Sequence, residues 1–169
     1  RWHPTVNTSF NAWGQGHFPK TRLPKPACLS EVPRYYSRYG LERSLFTEAL
    51  KYAAPFDLCL IQGGMTYWYP GVQEVIEDMH QVQPKAKIVL GGNYPTICPD
   101  HAATLGADLV VSGLDLQPLW DLAGLTPDDS QPALWEIYPK LAVGTIKITE
   151  GCPFQCTYCA VQKVYGGFR

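Results

Sequence analysis

The chain has 169 residues, 46% of them hydrophobic and 17% charged, with 14 basic against 15 acidic side chains. A formal net charge of -1 gives no electrostatic ground for nucleic acid or an anionic membrane as main partner. No apolar run reaches the ~20 residues of a membrane span, and a complete α/β barrel of about 250 residues does not fit the length. The chain opens at Arg1 without a basic-then-apolar signal sequence, which predicts a cytoplasmic fragment. Of the six cysteines, Cys28, Cys59 and Cys98 are scattered, while Cys152, Cys156 and Cys159 crowd together. In a reducing compartment such a cluster points to metal or redox chemistry before disulfides.

Residues 1–40 read as an irregular, basic arm, because Pro4, Pro19, Pro24, Pro26 and Pro33 interrupt any helix. Leu41, Leu45, Phe46, Ala49, Leu50 and Ala53 recur at helical spacing, so a helix is expected over 41–53, stopped by Pro55. The apolar run at 56–61 suits a buried parallel strand and ends at Gly63 and Gly64. A helix is expected over 71–82, with Val72, Val75, Ile76 and Met79 inward and Glu74, Glu77 and Asp78 outward. A second buried strand covers 87–90 and closes at Gly91 and Gly92. A short helix over 99–105 has Pro99 in its first turn. A third strand covers 108–112 and a last helix 116–123. Residues 88–139 hold acids and no Lys or Arg, which reads as a solvated face.

This alternation predicts an α/β domain over 41–123, a doubly wound parallel sheet covered on both faces with right-handed crossovers. Residues 124–142, with Pro127, Pro132 and Pro139, read as a linker. An alternating strand is expected over 143–149, opening a truncated barrel segment over 143–169 and leading straight into the cysteines.

Cys152, Cys156 and Cys159 have the spacing C-x3-C-x2-C. Three thiolates so close converge only on something they bind jointly. A structural zinc site wants four ligands, and no fourth Cys or His is near in sequence. An iron–sulfur cluster held by three Cys leaves one iron open to a small molecule. Cys156-x-x-Cys159 alone also matches a thiol redox pair, which leaves Cys152 without a role. All three readings stand on spacing alone, and the iron–sulfur one accounts for every cysteine without a further ligand.

The segment Glu150-Gly151-Cys152-Pro153-Phe154-Gln155-Cys156-Thr157-Tyr158-Cys159 resembles the signature of the radical S-adenosylmethionine superfamily. The resemblance implies that the three Cys hold a [4Fe-4S] cluster at the top of a first barrel strand, with Tyr158 near the adenine of S-adenosylmethionine. It further implies reductive cleavage of that cofactor to a 5′-deoxyadenosyl radical, with a flavodoxin or ferredoxin as reductant. The substrate stays unread.

The preceding α/β unit resembles the cobalamin-binding domain that stands ahead of many such barrels. Gly63, Gly64 and Met65 sit where those domains carry a Ser-x-Leu turn, and Gly91 and Gly92 where they carry a Gly-Gly pair. The resemblance implies a cobalamin held at the carboxyl ends of the strands, with methyl transfer or a rearrangement as its chemistry. Gly63 replaces the usual Ser. His17 lacks the flanking Asp and Gly of an axial-ligand motif. The aromatic run at 65–69 reads either as a wall of the corrin pocket or as a plug filling it, and His101 as a capping residue. From another class of function, the chain reads as a non-catalytic cobalamin-type binding module with a three-Cys metal-binding tail.

Overall fold

A computed structural model describes residues 18–53, 55–128, 130, 132, 134–135, 144 and 146–169. His17, most of the expected linker (Pro139 included), and Val143 and Thr145 of the expected strand lie outside the described residues. The chain divides into two compact units: Arg1–Ala54 with Trp135–Gly144, and Pro55–Leu134 with Thr145–Arg169.

In the first unit the expected irregular arm contains a small antiparallel pair. Strand β1 (Lys20–Arg22) pairs with β2 (Ser37–Tyr39), Lys20 opposite Tyr39. Leu23 N–H to the Tyr36 carbonyl (3.0 Å) and Gly40 N–H to the Pro19 carbonyl (2.9 Å) extend the ladder. The prolines do not prevent this, because Pro19 and Pro24 flank the paired residues and remove no ladder donor. The Arg22 guanidinium stands 3.4 Å from the centre of the Tyr35 ring, a cation–π contact that ties the strand to the loop. Helix α1 (Arg43–Tyr52) ends as Ala53 turns extended, two residues before Pro55. Its expected apolar stripe, Leu45, Phe46, Ala49 and Leu50, is half-buried.

The second unit is α/β with a three-stranded parallel sheet. Its elements run β3 (Leu58–Gln62), α2 (Tyr69–Val82), β4 (Lys87–Gly91), α3 (Asn93–Ile97), α4 (Pro99–Ala103), β5 (Leu109–Val110) and α5 (Gln117–Ala123). The strand order is β3-β4-β5, with Leu60 beside Val89 and Leu90 beside Val110. The order advances in one direction, so right-handed crossovers place both connections on the same face. A reversal of winding, which a doubly wound sheet requires, is absent among the described strands. On central β4, Ile88, Val89 and Leu90 are all buried, so there both faces are covered as expected. On β3, expected to be buried, Leu60 is 62% exposed; β3 lies at the edge of the sheet among the described strands.

Helix α2 starts two residues earlier than its apolar period predicts, since Pro70 needs no N–H partner in the first turn. Val72, Ile76 and Met79 enter the core as expected, and Asp78, expected outward, is only 2% exposed. Full burial of Ile76, Met79, Ile88 and Leu90 contributes about 1.5–3 kcal/mol per side chain. Helix α3 escapes the sequence reading because Pro95 sits inside it. Proline is tolerated there because it occupies the first turn, where backbone N–H groups have no helical acceptor.

Strand β5 is shorter than expected because Asp108 uses its side chain, not its backbone, to meet β4. Its carboxylate accepts from Ile88 N–H (2.8 Å) and from Lys87 Nζ (2.8 Å). These bonds, the Lys87 one foremost, hold the Asp108 carboxyl below its ordinary pKa. Asp108→Ala leaves the Ile88 amide without its acceptor and is expected to cost about 1–3 kcal/mol in chemical denaturation. A lowered folded-state pKa contributes stability above the unfolded value and loses it as pH falls through the folded one. The gap between wild type and Asp108→Ala should therefore narrow in acid.

The expected strand over 143–149 is not formed at Gly144 or at 146–149. Among the described residues no strand pairs with it, and both Ile146 and Ile148 are exposed. After the cysteines comes α6 (Val161–Tyr165), with Val164 buried and Lys163 Nζ donating to the Ile97 carbonyl at the end of α3 (2.7 Å). No barrel strand occurs among the described residues of this segment. No helix among the described residues is long and apolar enough to cross a membrane.

Candidate functional site

Two places carry the residues that the sequence singles out, and both lie in the second unit. The first is the carboxyl end of the sheet, where backbone bonds weave the strand ends together. Gly63 N–H donates to the Gly91 carbonyl and Tyr94 N–H to the Gly63 carbonyl, each at 2.8 Å. Thr96 Oγ1 donates to the Gly92 carbonyl and accepts from Gly113 N–H, again at 2.8 Å.

The glycines here serve the chain's own packing. A Cβ on Gly63 would lie 2.9 Å from Tyr94 Cδ1, one on Gly64 would lie 3.0 Å from the Trp68 ring, and one on Gly92 would lie 2.8 Å from the Gly63 carbonyl oxygen. Gly92 also has φ of 102°, a conformation open mainly to glycine. Gly91 is less crowded, its nearest neighbour being Val111 Cβ at 3.9 Å. Met65 is exposed beside the 3₁₀ turn Thr66–Trp68. Tyr94, Trp68 and backbone thus stand against the Cβ positions of Gly63, Gly64 and Gly92, so the chain's own packing already requires glycine at these three positions.

Tyr94 is 1% exposed and its hydroxyl lies 2.6 Å from His101 Nδ1. Burial raises the Tyr94 pKa, with Cys98 and Tyr69 adding to the effect, so the phenol keeps its proton. The Tyr69 ring meets His101 edge-on at 4.8 Å. His101 thus braces Tyr94 and Tyr69 across the strand ends, a fuller role than capping α4.

The second place is the cysteine loop. Its two ends are joined by reciprocal backbone bonds, Glu150 N–H to the Arg169 carbonyl (2.7 Å) and Arg169 N–H to the Glu150 carbonyl (2.9 Å). The Glu150 carboxylate also accepts from Lys147 Nζ (2.6 Å) and Arg169 Nε (3.1 Å). The Lys147 bond, with Arg169 adding to it, holds Glu150 below the usual carboxylate range, while the same bond raises Lys147. Gly151, at φ of 81°, lets the two chain ends meet: a Cβ there would lie 1.7 Å from the Gly167 carbonyl oxygen. Gly166, in the left-handed conformation at φ of 68°, ends α6 and turns the chain back towards Glu150.

Within this closed loop Cys152 is half-buried and Cys156 and Cys159 are exposed, and all three thiols are free. Cys159 N–H donates to the Cys156 carbonyl (3.1 Å), placing these two cysteines on one turn. Gln162 Nε2 donates to the carbonyls of Cys152 (2.7 Å) and Phe154 (2.9 Å). Tyr158 is 90% exposed. No three ligating side chains converge into a metal-holding group among the described residues. The donor chemistry nonetheless fits an iron–sulfur cluster: three free thiols on one short loop, two facing solvent, with both loop ends tied. Their side chains would have to turn together to share it.

No family model, no curated protein and no solved structure matches the chain. Sequence reading finds the thiols and Tyr158. It misses Gln162, Arg169 and Thr96, whose roles depend on where a side chain or a chain end comes to lie, and no spacing signals that.

Proposed function

We propose that residues 152–159 hold an iron–sulfur cluster through Cys152, Cys156 and Cys159, and that the chain serves a radical S-adenosylmethionine enzyme of the cytoplasm. The observation that carries this reading is three free thiols on one loop whose ends are pinned by the Glu150–Arg169 pair. When bound, the cluster would supply an open iron for S-adenosylmethionine and the electron that cleaves it to a 5′-deoxyadenosyl radical, replenished by a flavodoxin or ferredoxin. The chain's own contribution is to carry the three thiols on one short loop with tied ends and to offer the exposed ring of Tyr158 to an adenine. The reading rests on the cysteine loop and not on cobalamin, since packing within the chain accounts for the glycines at 63, 64 and 92.

Anaerobic incubation with ferrous iron and sulfide is the test. The expected result is a brown protein holding about four irons per chain, with the colour lost in Cys156→Ala and kept in Cys28→Ala and Cys98→Ala. A colourless protein, or one that takes zinc stoichiometrically in place of iron, overturns the reading.

A further inference from the structure

Helix α6 carries a polar residue that cluster binding as stated above leaves unused. Gln162 stands three positions after Cys159, and its amide nitrogen bonds two loop carbonyls at once, those of Cys152 (2.7 Å) and Phe154 (2.9 Å). A side-chain amide has two N–H donors, so both are spent on the same three residues of the loop. The two carbonyls are drawn to one point, and the backbone between them is bent around it. The next residue, Lys163, fastens α6 to the Ile97 carbonyl at the end of α3 (2.7 Å), and Val164 beside it is buried. Gln162 therefore reaches the loop from a helix that is anchored in the body of the unit. Of the three clustered cysteines, the one whose own carbonyl Gln162 holds, Cys152, is the half-buried one.

We propose that Gln162 is a positioning residue that presets the Cys152 arm of the loop for metal capture. The proposal rests on the cluster reading given above. Its physical basis is that residues ordered before binding lose less conformational freedom when the metal arrives. Partners that orient metal ligands typically contribute 10–100-fold to affinity.

The test compares the whole chain with Gln162→Glu and Gln162→Lys. Glutamate has the size of glutamine but presents only oxygens to the two carbonyls, whereas lysine again presents N–H donors. After anaerobic loading, Gln162→Glu is expected to release iron to a chelator about tenfold faster than wild type. It should also show an altered visible and EPR spectrum. Gln162→Lys should release iron at close to the wild-type rate. In the metal-free proteins, amide exchange over 152–156 should quicken in Gln162→Glu alone, with the β4 amides unchanged in both variants. Equal release from wild type and Gln162→Glu overturns the role of Gln162 and leaves the cluster reading standing. Equally fast release from Gln162→Lys and Gln162→Glu also overturns it, since donation is then not what matters. A wild-type chain that takes up no iron removes the cluster reading and this inference together.

Discussion

Gly92→Ala is expected to destabilise the second unit by about 2–6 kcal/mol, read as a fall in the midpoint of urea unfolding followed by circular dichroism. Two costs add. Holding an alanine at φ of 102° costs about 1–3 kcal/mol. The new methyl would also stand 2.8 Å from the Gly63 carbonyl oxygen, the atom that accepts from the buried Tyr94 amide. Pushing that carbonyl away leaves the amide unpaired, at a further cost of about 1–3 kcal/mol. Domains of this size have only about 5–15 kcal/mol in total, so the loss is a large share. Gly71→Ala is the control: it lies in α2 with nothing near its Cβ position and should stabilise by about 0.5–1 kcal/mol. If Gly92→Ala unfolds at the wild-type midpoint, the close crossing of the β3 and β4 ends is not as described.

Gly151→Ala is expected to act locally and on function. The methyl would overlap the Gly167 carbonyl oxygen at 1.7 Å, and backbone on both sides has no flexible end to move. The reciprocal bonds between Glu150 and Arg169 must break, and the loop opens at its base. Iron uptake should fall at least tenfold, in line with the loss of a partner that orients metal ligands. Amide exchange at Glu150 and Arg169 should rise towards that of an open segment. The core around Ile76 and Leu90 is elsewhere, so the main unfolding midpoint should shift by less than about 0.5 kcal/mol. Normal iron uptake by Gly151→Ala would show that closure of the loop base is not needed for capture. Together the two glycine substitutions separate the stability of the sheet from the readiness of the loop.

How much of this was legible beforehand varies by element. Strands β3 and β4 and helix α2 announce themselves, because apolar runs and a helical period are local properties of the chain. Helix α3 does not, since Pro95 reads as a breaker until the helix start is known. The strand expected over 143–149 has the right alternation, yet a strand exists only with a partner to take its hydrogen bonds, and alternation says nothing of partners. The burial expected for the 56–61 run fails at Leu60 for a related reason: whether a strand is central or at an edge depends on what lies beside it. The β1–β2 pair was hidden in a proline-rich arm, because only the register shows that the prolines sit outside the paired residues.

At the candidate site the division is as clear. Cys152, Cys156, Cys159 and Tyr158 are readable from order and spacing, since ligands within one short loop are near in space however the rest folds. The same holds for the near-neutral charge and for the parallel α/β pattern. The glycines at 63, 64 and 92 were read as room for a ligand. Only the folded chain shows Tyr94, Trp68 and a neighbouring carbonyl standing against their Cβ positions, a packing reason for glycine that the sequence does not display. Gln162 and Arg169 gain their roles because α6 turns the chain back on itself and brings residue 169 beside residue 150. Local chemistry is written in the order of the residues. Which groups cover, pair with or hold one another depends on contacts between distant parts of the chain, and those exist only once it has folded.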